Sequence, residues 1–270
     1  DGTLLSTREA HRDGAFGVAF SPDGQFLATA TGSPLSLGND HIAQVFSLET
    51  RRAIAQVSHQ GSITDLKFGP DGTTLATSSF DRTARVWDIE QSELISHIRH
   101  NEAVMQVAFG ADGRSLATAS LDNTAQLWEL SGNPVLTALE QPGTVLAIGF
   151  SPDGQTIAVS SSEQLSLRNM DGDLIQQWDT GAPIQIIQIS STGQVATVNQ
   201  ANTLQIWSLD GDRIVELHLD ETVNAIAFSP DGAAIATASA DNTARIWEVS
   251  SGLELAQLDH DSFVESVVFS

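Results

Sequence analysis

The 270-residue chain has an ordinary globular composition, with 41% hydrophobic and 17% charged residues. Its 12 basic and 34 acidic side chains give a formal net charge of −22. This charge repels phosphate backbones and anionic lipid surfaces, so we expect no nucleic-acid and no membrane partner. The chain has no cysteine, which excludes disulfides and thiolate chemistry and mildly favours a cytoplasmic location.

A short phrase, Phe-Ser-Pro-Asp-Gly, recurs in full or in part along the whole chain. Its occurrences are spaced by about 40 residues, the first interval being the longest. The first position of the phrase falls at Phe20, Phe68, Phe109, Phe150, Ile189, Phe228 and Phe269. Such a period indicates an array of small structural units.

Each unit has the pattern of four short strands. In the second unit, residues 63–68 alternate between apolar and polar, as a half-buried strand does. Pro70-Asp71-Gly72 then favours a turn, because proline restricts φ and glycine allows a positive φ. Residues 75–79, 83–89 and 94–98 are the next predicted strands. No segment has a sustained helical period, so we expect almost no helix.

Two segments of 14 residues, 116–129 and 235–248, are nearly identical and contain Ala-Thr-Ala-Ser, Asp-Asn-Thr-Ala and a Trp-Glu ending. In these features, repeated in register, the chain resembles the WD-repeat (WD40) family over essentially its whole length. The resemblance implies an all-β propeller built from four-stranded antiparallel blades.

The strand pattern leads us to expect a seven-bladed propeller in a single domain, residues 1–270, whose seventh blade is incomplete. Residues 4–10 resemble a fourth strand and residues 263–269 a lone first strand. On this interpretation the chain is a fragment of a longer protein, in which the next ~25 residues would complete the blade, and strand 4–10 is poorly paired. A six-bladed ring is the alternative, in which both of these segments are spare strands.

The resemblance also implies a polar tetrad inside each blade. It links a His before the first strand, a Ser or Thr on the second, an Asp in the next turn and a Trp on the third, so that buried polar groups satisfy one another. The matching positions are His59, Ser79, Asp81 and Trp87 in the second blade, His100, Ser120, Asp122 and Trp128 in the third, and Ser239, Asp241 and Trp247 in the sixth, where Leu219 replaces the His. The fifth blade keeps only Trp207, and we interpret the tetrad residues as structural.

No residue pattern predicts catalysis or a cofactor. His97 and His100 are three residues apart at a strand end, with no third metal ligand nearby in sequence. Each Asp-Gly turn supplies one carboxylate, whereas calcium requires several oxygen ligands. We therefore predict that the chain is not an enzyme and binds neither metal nor cofactor.

The resemblance places one set of loops on a shared upper face, the usual partner platform of the family. Phe80 and Leu121 are the predicted anchors, because a large apolar residue at a turn tip has no core to join. The other predicted contact residues are Ala240, Arg12, Gln60, Ser62, Asn101, Thr144 and Thr222, with Leu35 and Leu37 in an insertion of the first unit. Isolated exposed apolar residues and a tolerated surface insertion would explain the same features.

From these observations we expect a protein–protein interaction scaffold, in the form of a docking or sensor domain attached to other domains of a longer chain. Its partner is a protein segment with basic character, given the net charge. An enzyme or small-ligand binder with a site in the central channel is the alternative. A structural spacer without a specific ligand is a third possibility.

Overall fold

The computed structural model describes residues 17–31, 41–130, 135–161 and 164–269. These residues form 24 strands in six sheets of four, with no helix among them. The first three blades are β1 (Gly17–Phe20), β2 (Phe26–Ala30), β3 (Ile42–Ser47), β4 (Ala53–Ser58); β5 (Ile63–Phe68), β6 (Thr74–Ser79), β7 (Thr83–Asp88), β8 (Glu93–Arg99); and β9 (Val104–Phe109), β10 (Ser115–Ser120), β11 (Thr124–Glu129), β12 (Val135–Glu140). The other three are β13 (Ile148–Phe150), β14 (Thr156–Ser161), β15 (Gln164–Asn169), β16 (Leu174–Asp179); β17 (Ile184–Ile189), β18 (Val195–Asn199), β19 (Thr203–Trp207), β20 (Arg213–His218); and β21 (Val223–Phe228), β22 (Ala234–Ser239), β23 (Thr243–Glu248), β24 (Glu254–Asp259).

Every blade is an antiparallel meander in which sequential strands pair. The four strands predicted for the second unit are confirmed to within one residue at each end. The turn between β5 and β6 shows why the Asp-Gly dipeptide predicts a turn. Gly72 has φ +74°, and the Asp71 carboxylate accepts hydrogen bonds from the amides of Thr73 and Thr74, both at 2.9 Å.

The hydrophobic core lies between neighbouring blades. Ile98 on the outer strand of blade 2 is 1% exposed and packs in a cluster with Val104, Leu116 and Trp128 of blade 3. Blades 1 and 2 share a similar cluster, which includes Val45, Leu75 and Phe68. A four-stranded sheet cannot bury its own faces, so each blade is stabilised by the next one.

All six outer strands carry a β-bulge at the same place. Opposite the third-strand position that Trp87 occupies in blade 2, the register shifts by one residue and leaves one outer-strand residue unpaired. These residues are Ile54, Ile95, Leu136, Ile175, Ile214 and Leu255, all between 38% and 55% exposed. Bulges twist an edge strand away from regular pairing, which hinders edge-to-edge association of copies.

The expectation of a seventh blade is wrong: the propeller has six blades. Residues 263–269, expected as a lone first strand, have no strand structure, and residues 4–10 lie outside the described part of the chain. The motif was counted correctly, but a blade requires strands that pair, and the inner strands of adjacent blades do not form a ladder with each other. The segment is instead tethered to blade 6, where the Asn224 side-chain carboxamide donates to the Val264 carbonyl (3.0 Å).

Two isoleucines on β8 test the interblade core. We expect Ile98→Ala to lower the free energy of unfolding by about 2–5 kcal/mol, because it leaves a cavity between blades. Ile95→Ala removes the same atoms from a side chain that is 48% exposed, and we expect a change within about 0.5 kcal/mol. Urea unfolding of both variants measures the difference, and equal losses would contradict the packing described above.

Candidate functional site

Two sets of loops meet at one end of the blades. The Phe80 amide donates to the Ser62 carbonyl (3.0 Å), and Leu121 and Ala240 make the same bond to Ala103 (3.0 Å) and Thr222 (2.9 Å). Each bond joins the turn after a second strand to the loop before the first strand. We call this end the upper face; its described loops are 59–62, 80–82, 100–103, 121–123, 141–147, 180–183, 200–202, 219–222, 240–242 and 260–263.

Beneath the upper face, blade 2 contains a buried polar network. His59 Nδ1 lies 3.0 Å from Asp81 Oδ2, and His59 Nε2 lies 2.7 Å from Thr77 Oγ1. The Trp87 indole N–H donates to the same Thr77 oxygen at 3.0 Å. A carboxylate can only accept, so Nδ1 carries the proton and the Thr77 hydroxyl donates to Nε2.

The hydroxyl in this network is therefore that of Thr77 and not that of Ser79, the residue named from the sequence. Both side chains point to the same face of β6, but Ser79 is at the strand end. Its hydroxyl donates to the Gly61 carbonyl (2.9 Å) and accepts from the Asp81 amide (3.0 Å). Ser79 thus joins the two upper loops, while Thr77, one pleat deeper, connects the His and Trp rings.

Blade 3 repeats this arrangement. His100 lies 2.8 Å from Thr118 Oγ1 and 3.2 Å from Asp122 Oδ2, and the Trp128 indole donates to Thr118 (3.2 Å). Ser120, like Ser79, donates to an upper-loop carbonyl, that of Ala103 (3.0 Å). The sequence signal for the correct hydroxyl was present, since a threonine recurs two residues before the serine or asparagine: Thr77, Thr118, Thr197 and Thr237.

Blade 6 lacks the histidine but keeps the threonine–indole bond and the arginine–aspartate pair, which blade 2 also has between Arg85 and Asp81 Oδ2 (3.2 Å). In blade 6 the Arg245 guanidinium pairs with Asp241 Oδ2 (2.7 Å), and Trp247 donates to Thr237 (3.0 Å). The Ser239 hydroxyl there accepts the Asp241 amide (3.2 Å) in the turn, and the indole donates to Thr237 instead.

In blade 5, Asn199 stands at the position of Ser79 in blade 2, and its carboxamide accepts both of the turn amides that Ser79 and Asp81 accept there. Its oxygen accepts from the amides of Ala201 (3.0 Å) and Thr203 (3.1 Å). The Trp207 indole donates to Thr197 (3.3 Å). Blade 5 therefore keeps more of the network than Trp207 alone, the one member expected from the sequence.

The charge states of this network follow from its burial. Burial lowers the pKa of His59 and His100, and the nearby Asp81 and Asp122 only partly oppose this effect. Burial alone would raise the pKa of Asp81, but hydrogen bonds from His59 and Thr83 outweigh it and hold the pKa well below its usual range. The network therefore contains a neutral imidazole and an ionised carboxylate at neutral pH.

The predicted binding residues lie on the upper face where they are described. Phe80 is 37% exposed and also lines the central channel. The residues Gln60, Asn101, Thr144 and Thr222 are exposed, whereas Ser62, Leu121 and Ala240 are only partly exposed. Leu121 is thus less available than its predicted role as an anchor requires. Arg12, Leu35 and Leu37 lie outside the described residues.

Exposed carboxylates dominate the described loops of this face. They belong to Glu102, Asp220, Glu221 and Asp261, and Arg82 is the arginine present there. Phe263, 63% exposed, lies beside Asp261. The face can therefore offer apolar contacts bordered by negative charge.

A central cavity of about 780 Å³ is walled by residues of the inner strands of blades 1, 2, 3, 5 and 6, by Leu146 just before the inner strand of blade 4, and by residues 265–269. Asp65, Lys67 and Glu265 are the charged side chains among its described lining residues. Sequence reasoning did not single out this trio, because Glu265 lies far from Asp65 and Lys67 in the sequence. Within the described residues, no group of three or more His, Asp or Glu side chains could hold a metal ion. That same part of the chain contains no helix long and apolar enough to cross a membrane.

The family profile described as "WD domain, G-beta repeat" matches residues 2–47, 52–88, 92–129 and 212–248, more than half of the chain. The chain belongs to the WD40 repeat family. WD40 propellers generally serve as protein-interaction scaffolds and are typically not enzymes. The matched ranges leave out residues 130–211, which include blade 4 and the first three strands of blade 5, where Asn199 lies. A comparison with curated proteins finds no significant match.

Substitution of Thr77 tests its place in the network. Thr77→Val removes the hydrogen-bond partner of both His59 and Trp87 with little change of shape, and we expect a loss of about 1–3 kcal/mol in the free energy of unfolding. Thr77→Ser keeps the hydroxyl and serves as the control, with a clearly smaller loss. Chemical denaturation measures both, and equal losses would show that the hydroxyl is unimportant.

The lowered histidine pKa values predict a pH dependence. Because the pKa of each histidine is lower in the folded than in the unfolded chain, the unfolded chain binds more protons at pH values between the two. The contribution of the neutral histidines to stability is therefore complete above the unfolded pKa of about 6.5, and it decreases as the pH falls below that value. Charged and titratable groups near His59 are Asp81, Arg85 and His97.

We expect the variant His59→Gln/His100→Gln to be less stable than the parent at pH 8, but to lose less stability between pH 7 and pH 5. Urea midpoints across this range provide the measurement. A variant whose slope with pH equals that of the parent would contradict the assignment of neutral imidazoles.

Proposed function

We propose that this WD40 propeller is a non-catalytic docking scaffold that binds a protein segment of basic character on its upper face. The observation that carries the proposal is Phe80, an aromatic side chain exposed at a turn tip on the rim of the channel. Aromatic residues are common interface anchors, because they bury a large area at a small cost in conformational entropy.

The turn that carries Phe80 is held in place before any partner binds. The Phe80 amide is bonded to Ser62, and the next residue, Asp81, accepts from His59 and from the Gln60 amide (2.9 Å). Gly61 packs so closely that an added Cβ would lie 2.9 Å from the Asp81 nitrogen. A preorganised anchor loses little entropy on binding, which favours affinity.

The charge of the surface supports a basic partner. The net charge is −22, and the exposed carboxylates at Glu102, Asp220 and Asp261 stand on the loops of the same face. Complementary charge raises association rates and discriminates against acidic partners. Both effects weaken with added salt, because salt screens interactions between exposed charges.

A pair of substitutions tests the proposal. Proteins captured from a lysate of the source cell by the immobilised chain are compared with those captured by Phe80→Asp and by Leu94→Asp. Leu94 is a matched control, an exposed apolar residue (46%) on the outer strand of the same blade.

We expect Phe80→Asp to lose a partner that the parent and Leu94→Asp retain, with affinity for a peptide from that partner reduced roughly 30-fold. Charge reversal at Glu102 and Asp220 to Lys should slow association and reduce its salt dependence. Equal capture by all three proteins, or equal loss in both Asp variants, would rule out this face as the binding site.

A further inference from the structure

Lys67 is the only lysine of the chain, and it lies in the wall of the central channel. It occupies the position just before the phenylalanine that ends the inner strand of blade 2. The other blades have smaller or uncharged residues at this position: Ala19, Ala108, Gly149, Gln188 and Ala227. No other blade therefore places a basic residue at this position of the inner strand.

Asp65, two residues before Lys67, is held by the backbone of two blades. Its carboxylate accepts from the Leu66 amide (2.9 Å) and from the Val107 amide of blade 3 (3.3 Å). Gln106 occupies the same position in blade 3 and likewise accepts from the next blade, at the Ile148 amide (2.7 Å). The hydrogen bond between blades is thus sufficient to explain an acidic residue at position 65. Lys67 takes no part in that bond.

The ammonium group of Lys67 is only partly satisfied. Its nearest carboxylate oxygen, Asp65 Oδ1, is 3.6 Å away, an ion pair longer than a hydrogen bond, and the side chain is 36% exposed. Within the described residues it makes no other ion pair or hydrogen bond. Burial raises the pKa of Asp65, and the charge of the neighbouring Lys67 opposes this shift.

The rest of the wall can bind a small polar molecule. The carboxamides of Gln185 and Gln188 line the channel from blade 5, and the Glu265 carboxylate lines it beside blade 6. Met105 and Leu146 add apolar surface. A volume of about 780 Å³ is in the range of small-molecule sites and is too small for a folded partner.

We propose that the channel is a binding site for a small zwitterion of the amino-acid or dipeptide type, whose carboxylate pairs with Lys67 and whose ammonium group pairs with Glu265. The charges of the lining select this class. A multiply charged anion would meet one cation against two carboxylates and a net charge of −22, whereas a simple cation would leave Lys67 with only its 3.6 Å contact to Asp65. The proposal is independent of partner binding on the upper face.

The single lysine allows a direct test in the parent sequence. Reductive methylation with 13C-formaldehyde labels Lys67 and the terminal amine and preserves their charge. Leu-Leu dipeptide and L-leucine are then titrated in NMR experiments, beside 4-methylpentanoate, which lacks the amine, and L-leucinamide, which lacks the carboxylate. We expect a saturable shift of the Lys67 methyl signal with at least one zwitterion and no shift of the terminal signal.

Variants identify the groups responsible. Calorimetric titration should show binding of that zwitterion about tenfold or more weaker in Lys67→Met, and little changed in Lys67→Arg, since one hydrogen bond to a charged group is lost only in the first. Glu265→Gln should lower the affinity for the zwitterion but leave the affinity for 4-methylpentanoate unchanged. All variants are compared with the parent by circular dichroism.

Three results would overturn the proposal. The first is the lack of a saturable Lys67 shift with both zwitterions at millimolar concentration. The second is equal affinity of the parent and Lys67→Met. The third is binding of 4-methylpentanoate or L-leucinamide as tight as that of the zwitterion, which would exclude this ligand class.

Discussion

The structure depends on the packing of each blade against its neighbour. A four-stranded sheet of this size has two faces to cover, and no helix in the described residues covers them. The faces are covered by the neighbouring blade. The Ile98 side chain, on the outer strand of blade 2, packs in one cluster with Leu116 and Trp128 of blade 3. Small residues such as Ala76, Ala84 and Ala117 on the middle strands let the sheets approach closely. This packing also creates the two candidate binding regions. The inner strands surround the central channel, and the turns between strands lie outside the interblade core.

The polar networks solve a second problem that the packing creates. Close approach of the blades buries an imidazole, an indole N–H and a threonine hydroxyl, each of which is costly to bury without a partner. In blade 2 the chain from Asp81 through His59 to Thr77 satisfies them together. Blade 5 shows that the requirement is for satisfied groups rather than for particular residues, since the Asn199 carboxamide accepts the turn amides that Ser79 and Asp81 accept in blade 2.

A frame stabilised in this way leaves two regions free to bind ligands. The upper turns have a fixed backbone but exposed side chains, which suits a surface that recognises another protein. The channel has fixed walls and an incompletely paired ammonium group at Lys67. The two regions meet at Phe80, which belongs to both. A partner seated on the upper face would therefore lie over one mouth of the channel, so that ligand and partner share a boundary.

The sequence by itself determined what is local and repeated. Alternation and the Asp-Gly turns predicted the strands of blade 2, because strand period and turn conformation depend on a few neighbouring residues. The same repetition predicted His59, Asp81 and Trp87 as members of one network, but not its hydroxyl. Ser79 and Thr77 share one face of β6, and only their depth in the blade distinguishes them.

Tertiary structure decided the number of blades and the composition of the sites. Residues 263–269 match the repeat, yet a strand exists only where a neighbour accepts its hydrogen bonds. Leu121 occupies the same repeat position as Phe80 but is only partly exposed in the fold, because exposure depends on the neighbouring loops. Lys67 and Glu265 are nearly two hundred residues apart, and only the circular arrangement of blades brings them to one channel. Local patterns predict local structure, whereas these properties arise from contacts between residues distant in sequence.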